Sequence, residues 1–400
     1  MPELSKRVRG LGTENAFVVL GEVAELQAQG KEITSFCIGQ PDFPTPENIS
    51  LAGIKAIADG HHGYTPSPGI MPLREAVADY FTRTRRVEVT PDEVVCASGG
   101  KPFIGYTILS VTDYGQGHEV IYPNPGFPIY QSQIVANGAV PVPLHLRENK
   151  GFVFDLEDVK TKLNENTRLL ILCSPQNPTG SVISRSDLEE LGRILADYPD
   201  VWVYSDEVYS GLVYDGPFES IAAVDGMRER TIIVDTASKT YAMTGWRIGY
   251  AANKALAPSF TRWVTNTDSC PAHPNQWAVV EALNGSQDTP VAMARVFEQR
   301  RERIVEGLNA IDGITCQKPG GAFYVWPNVT EVCKMTGIAD SEELRKRLLH
   351  EAGVAILADI HFGTRVEGDG EHVRFSYASS FDDINNGLEK IADFIKANKR

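Results

Sequence analysis

The sequence predicts an α/β protein: a mostly parallel sheet flanked by helices, joined to a smaller α+β domain. Three observations carry this. Between residues 90 and 250, short β-branched runs alternate with helix-like stretches, as expected of strands buried on both faces. The chemically distinctive segments fall at the carboxyl ends of those runs, where ligands gather in such sheets. After residue 290 the texture changes to a long charged helix followed by isolated strands. A chain of 400 residues is too long for one small core. We therefore expect a large domain over 46–290, a small α+β domain over 291–400, and a segment over 1–45 that packs on the small domain.

In chain order, Glu93-Val94-Val95-Cys96-Ala97 reads as a strand and Lys101 to Val111 as a helix, opened by Gly99-Gly100-Lys101-Pro102. Two glycines ahead of a first-turn proline leave backbone N–H groups bare at the positive end of a helix, a seat for phosphate. The turn is not a Walker motif, because Val95 stands where the first glycine of that motif belongs. Glu119-Val120-Ile121-Tyr122 is the next strand. The turn Asn124-Pro125-Gly126-Phe127 sets Phe127 at the rim, suited to stacking on a ring, and a helix follows from Ile129 to Asn137. Arg168 to Cys173 is a strand leading to Pro175-Gln176-Asn177-Pro178, and Ser186 to Tyr198 is a helix capped by Ser184 or Ser186. Val201 to Tyr204 leads to Asp206-Glu207-Val208-Tyr209, and Thr231 to Val234 to Ser238-Lys239. Beyond them come a helix from Val291 to Ile311, strands at Phe323–Trp326 and Val373–Tyr377, and a helix from Ser341 to Glu351.

A formal charge of −14 argues against nucleic acid and anionic membranes as partners, since both reward basic patches. It leaves room for a small anion held by local arginines. Six scattered cysteines show neither zinc spacing nor a disulfide framework, so reduced thiols are expected. No run of 18 apolar residues and no signal-peptide core occurs. The expected location is the cytoplasm.

The chemistry centres on Lys239. Held just beyond an apolar strand and partly desolvated, an amine is suited to forming a Schiff base with a carbonyl cofactor. Thr236 and Ser238 ahead of it and Arg247 eight residues on could together hold a phosphate. Asp206 could bind metal, but no histidine or acid cluster accompanies it. A carboxylate beside a lysine, a tyrosine and a phosphate seat instead suits a protonated pyridine nitrogen. Tyr209 and Asn177 would then donate to the ring's phenolic oxygen.

These residues lie in motifs that resemble the fold-type I pyridoxal 5′-phosphate aminotransferases of class I/II, in particular bacterial aspartate and broad-specificity members. The motifs are Gly39-Gln40-Pro41-Asp42-Phe43-Pro44, Tyr64-Thr65-Pro66-Ser67-Pro68-Gly69, Asn177-Pro178-Thr179-Gly180, Ser205-Asp206-Glu207-Val208-Tyr209, Ser238-Lys239 through Trp246-Arg247, Pro319-Gly320-Gly321-Ala322-Phe323-Tyr324 and Val373-Arg374-Phe375-Ser376-Tyr377. The resemblance implies a transaminase that works by a ping-pong mechanism, with pyridoxal 5′-phosphate as cofactor. Lys239 would bind the cofactor covalently and shuttle a proton at substrate Cα. Asp206 would face the ring nitrogen, and Tyr209 and Asn177 the ring oxygen. Gly99, Gly100 and Lys101 (through their backbone), Ser238, Arg247 and Thr236 would hold the phosphate. Arg374 would clamp the substrate carboxylate, helped by Asn177 and the Gly39 backbone. Tyr64 resembles the tyrosine that reaches the neighbouring subunit's phosphate, which implies a homodimer with composite sites. A lyase on the same cofactor is the alternative, because Cα–H cleavage is common to both reactions. A regulator fused to a DNA-binding module is a third possibility that the short stretch before the first motif argues against.

Two departures bear on specificity. In the aspartate-specific branch a lysine at the place of Lys101 helps bind a side-chain carboxylate. Here the neighbouring segment reads Gly12-Thr13-Glu14-Asn15-Ala16, and Glu14 would repel an acidic side chain unless it pairs with Lys101. Ser269-Cys270-Pro271-Ala272-His273 also departs from the commoner serine- and threonine-rich version.

Overall fold

The computed structural model describes residues 2–9, 11–366 and 368–400. Seven strands make the central sheet: β1 Val94–Ala97, β2 Glu119–Asn124, β3 Val140–His145, β4 Thr167–Cys173, β5 Trp202–Asp206, β6 Thr231–Thr236 and β7 Gly249–Ala252. Their spatial order is β1-β7-β6-β5-β4-β2-β3. Neighbours from β6 across to β3 are parallel, and β7 runs antiparallel between β1 and β6. Six strands therefore point one way, and the chain has the α/β fold expected.

Strand residues alternate between two separate cores. Ile121, Leu170, Leu172 and Val203 pack on one face, while Val120, Leu169, Ile171, Tyr204 and Ile232 pack on the other. This period of two, apolar on both sides, is why the strands read as unbroken hydrophobic runs. The helix Lys101–Val111 has the expected bounds. The next predicted helix spans Ile129–Ala136. Arg185–Leu195 is capped by Ser184, whose Oγ accepts the Asp187 N–H at 3.1 Å, so Ser184 and not Ser186 is the cap.

Two strands of the central sheet escaped the sequence reading. In β3, Pro141 and Pro143 have no N–H to give to the ladder, which is tolerated because β3 lies at the sheet edge. In β7 the residues are Gly-Tyr-Ala-Ala, with little apolar signal. Gly249 is small for a reason: a Cβ there would come within 2.5 Å of the Gly100 nitrogen. The strand is thereby pressed against the Gly99–Gly100 turn.

A second, antiparallel sheet comprises β8 Tyr324–Val325, β9 Leu357–Ala358 and β10 Val373–Ser376, in the order β9-β10-β8. The long helix Asp288–Asn309 precedes it. The helix Ser341–Arg347 continues as a π turn over Leu348–Ala352. Thr34–Ser35 pairs in parallel with Val354–Ala355, and Phe36 meets Phe375 at 5.6 Å between ring centroids. The helix Asn15–Ala28 buries Ala16, Val19, Val23 and Leu26 along one face. These contacts bring Glu14 and Gly39 over the carboxyl ends of the central strands.

Candidate active site

A cavity of about 590 Å³ opens at those strand ends, and Gly39, Gly100, Lys101, Phe127, Asn177, Asp206, Tyr209, Thr236, Ser238, Lys239, Arg247 and Arg374 all line it. Asp206 is the last residue of β5, and Thr236 the last of β6. Lys239 lies in the single helical turn Ala237–Thr240 that follows, whose start is capped by Thr236 Oγ1 accepting the Ser238 N–H. Adjacent parallel strands thus deliver the acid and the amine to one space. Two predicted residues do not line it. Gly99 sits just behind the wall, and Tyr64 is 91% exposed on the surface.

Burial sets the electrostatics of the floor. Desolvation raises the Asp206 carboxyl to about 6, opposed by the hydrogen bond from Tyr130 and by the nearby Val208 N–H dipole. The Tyr130 hydroxyl donates to Oδ2 at 2.5 Å, while Oδ1 is buried without a partner among the described residues. Desolvation likewise brings Lys239 down to about 8; Glu14 opposes that shift, and Arg374, Arg247 and Lys101 add to it. An amine with that value is about one-quarter neutral at pH 7.5, against about one part in a thousand for an ordinary lysine. Its Nζ donates to the Gly39 carbonyl at 2.5 Å, and the Tyr209 and Phe323 rings stand 5.8 Å away.

At the opposite end the backbone is left bare. Gly99 has φ +96°, and the Arg247 guanidinium occupies the space a side chain would need. A Cβ on Gly100 would come within 2.8 Å of Thr236 Cγ2. Gly100 also caps the helix Lys101–Val111 without a side-chain hydrogen bond, so the positive end of that helix lies at the cavity beside Arg247. Arg247 itself is held in left-handed backbone geometry, with Nη1 donating to the Thr244 carbonyl at 2.8 Å.

Arg374, on β10, is 3% exposed. It lies between Tyr324 and Phe362, 4.4 and 4.8 Å from their ring centroids. Nη1 donates to Asn177 Oδ1 at 2.9 Å, Nη2 donates to the Cys37 carbonyl, and Nε has no partner among the described residues. No carboxylate pairs with this buried guanidinium among the described residues, which suits it to an anionic ligand. The Tyr209 and Tyr324 hydroxyls lie 2.7 Å apart.

The sequence reading assigned no role to Tyr130 or Tyr324, and it missed a buried ion network under the floor. Arg85 donates to Glu207 at 2.8 Å and to Asp235 at 2.5 Å, with all three side chains about 1% exposed or less. Tyr80, Phe81 and Phe218 ring the guanidinium at 4.9–5.1 Å. Asp235 Oδ1 in turn accepts the Thr236 N–H at 2.6 Å. Arg85 therefore ties together the ends of β5 and β6, which bear Asp206 and Lys239. At the mouth, Lys101 Nζ pairs with Glu14 Oε2 at 2.5 Å, so Glu14 is paired as the sequence allowed. Ser269–His273 borders the Tyr64 loop: Cys270 Sγ accepts the Thr65 N–H at 3.4 Å, and His273 Nδ1 lies 3.2 Å from the Gly63 carbonyl.

Fold and site together define an enzyme of amino-group transfer. Comparison with known proteins agrees. The family model "Aminotransferase class I and II" matches residues 31–391. An aspartate aminotransferase of Bacillus sp. (strain YM-2) is 35% identical over 396 residues, covering 98% of this chain and 99% of the relative. An asparagine–oxo-acid transaminase of Streptococcus mutans is 34% identical over 400 residues, covering 99% and 100%. The crystal structure of the aspartate aminotransferase from Rhizobium meliloti superposes with a TM-score of 0.93 at 32% identity, over the whole of both chains. The chain belongs to the class I and II aminotransferases. It is an amino-acid aminotransferase of fold type I.

Proposed function

We propose that the cavity holds pyridoxal 5′-phosphate and that the protein passes the amino group of an α-amino acid to a 2-oxo acid by a ping-pong mechanism. The observation that carries this reading is that Lys239 and Asp206 reach one cavity from adjacent strand ends, the amine brought to about 8 and the acid left with a free oxygen. The residues fit the cofactor. Asp206 Oδ1 offers an unpaired acceptor for a protonated ring nitrogen, and the Gly99–Gly100 turn, Thr236, Ser238 and Arg247 form a cradle whose glycines leave no room for side chains. Phe127 lines the wall between them. When bound, the cofactor supplies an electron-withdrawing ring that stabilises negative charge at substrate Cα.

The remaining steps belong to the protein. Arg374, held between two rings, takes the substrate α-carboxylate, with Asn177 beside it. Lys239 moves the proton at Cα, a task suited to an amine titrating near working pH. It must first leave the Gly39 carbonyl. Tyr209 orients through its hydroxyl contact with Tyr324.

We further propose that 46–290 and 291–400 act as two domains, with 1–45 riding on the second, and that the protein is a cytoplasmic homodimer. The exposed Tyr64 and the exposed helical face of Leu51, Ile54 and Ile57 support the dimer, in which Tyr64 would complete the partner's phosphate site. No described helix is long and apolar enough to cross a membrane. The relatives' names include both aspartate and asparagine donors, in keeping with aspartate-like or broad specificity. In a single turnover with donor alone, one equivalent of 2-oxo acid per site should be released without ammonia, and borohydride should fix the cofactor on Lys239. Release of ammonia with continued turnover would make the protein a lyase, and a label elsewhere would remove Lys239 from its role.

A further inference from the structure

The one charged pair at the mouth of the cavity is Lys101 with Glu14, among the described residues lining it. The two side chains come from separate elements. Lys101 opens the helix after β1, and Glu14 precedes the helix Asn15–Ala28. Lys101 Nζ also stands 5.3 Å from the Phe127 ring and 5.6 Å from the Phe17 ring, so the pair is framed by aromatic walls that line the same space. Glu14 is felt within the cavity, since it is the largest charge acting against the depression of Lys239.

The pair is neutral overall but strongly polar. Glu14 accepts from Lys101 on Oε2 only, and among the described residues no donor reaches Oε1. The ammonium has three N–H groups and donates one here. Any side chain lying beside the pair therefore meets both an acceptor and a donor. A carboxylate satisfies Lys101 but must sit next to Glu14, a like charge. A cation satisfies Glu14 but sits next to Lys101. An apolar group leaves both unanswered. A primary carboxamide answers both, its oxygen accepting from Lys101 and its NH₂ donating to Glu14.

We propose that Glu14 and Lys101 form a specificity subsite that reads the carboxamide of an asparagine- or glutamine-class donor and disfavours the corresponding acids. The proposal rests on the transaminase reading and names the donor for that same site. Specificity here arises from repulsion of the acid as much as from attraction of the amide.

The test uses the cofactor-loaded enzyme with one fixed 2-oxo acid. Wild type should show kcat/KM for asparagine about tenfold or more above that for aspartate, and Glu14→Gln should raise aspartate about tenfold, because the repelling charge is gone while the size is kept. The change should fall mainly in KM. Thermal-shift titration with succinamate and succinate, neither of which can react, supplies a second measure. Wild type should bind succinamate tighter, and Glu14→Gln should narrow or reverse the order. A wild type that prefers aspartate, or an asparagine-to-aspartate ratio that Glu14→Gln leaves within about twofold, overturns the subsite. Failure of every amino acid to release an oxo acid would instead overturn the transaminase reading, leaving the succinamate titration to judge the subsite alone.

Discussion

The floor and the mouth of the cavity are built from the same kinds of side chain but hold their charges differently. On the floor, Asp206 and Lys239 are enclosed, and both are pushed toward their neutral forms. At the mouth, Glu14 and Lys101 keep 24% and 45% of their side-chain surface open to water and form an ordinary ion pair. Low dielectric gives the floor leverage over bond-making, because each charge there is strongly destabilised until a ligand answers it. Water at the mouth damps each charge, leaving enough to discriminate among donors but little to drive chemistry. In the proposed reading, reactivity belongs to the floor and selection to the mouth.

The sharpest way to break this division is Lys239→Ala, which should lower kcat on the order of 10⁴-fold and abolish borohydride labelling, as seen in a peptide map. Asp206→Asn should lower kcat about 10²–10³-fold. The same substitution sharpens the contrast in the cofactor-free protein. The folded carboxyl titrates at about 6, above its ordinary 3.8, so the folded state is favoured below about pH 4 and loses that advantage as pH rises through 6. Asp206→Asn should therefore raise cofactor-free stability at pH 8, by at most on the order of 3 kcal/mol, and leave it unchanged at pH 4. Equal denaturation curves at the two pH values would place Asp206 in a wetter setting.

Arg374→Ala leaves its buried partners unanswered and should cost about 2–4 kcal/mol of transition-state binding, read as lower kcat/KM for every donor alike. A loss confined to some donors would move Arg374 from the shared carboxylate to the side chain. Lys239 in the cofactor-free protein should react with an amine-directed reagent at a rate that climbs with pH to a midpoint near 8, because the neutral amine is the reactive form. A midpoint above 10 would put the lysine in water. The smallest effect belongs to the mouth, where Glu14→Gln should change folding stability by less than ~1 kcal/mol, checked by urea denaturation.

The strands β2, β4, β5 and β6 were legible because their apolar runs are continuous, and the floor was legible because its residues follow those runs directly in the chain. Asp206, Thr236 and Lys239 needed only the end of a strand to be located. What was hidden depended on distance. Arg85 lies 122 residues from Glu207, and nothing in its own helix marks it as buried. Tyr130 reaches Asp206 from a helix 76 residues away. The Lys101–Glu14 pair stood as a condition in the sequence, and only the packing of the helix Asn15–Ala28 over the strand ends decided it. The strands β3 and β7 were masked by prolines and by small residues, whose fitness for a strand shows only at an edge or against a tight turn.

Beneath the floor the count of charges is uneven. Asp206, Glu207 and Asp235 gather at two neighbouring strand ends, and one guanidinium, Arg85, serves the latter two. The third acid is left over, with a tyrosine on one oxygen and nothing on the other. An odd anion in a dry place favours visitors that arrive carrying their own positive charge. The parity of that small cluster, settled by one arginine at the end of a distant helix, would therefore act as an entry requirement on the heterocycle proposed to settle above it.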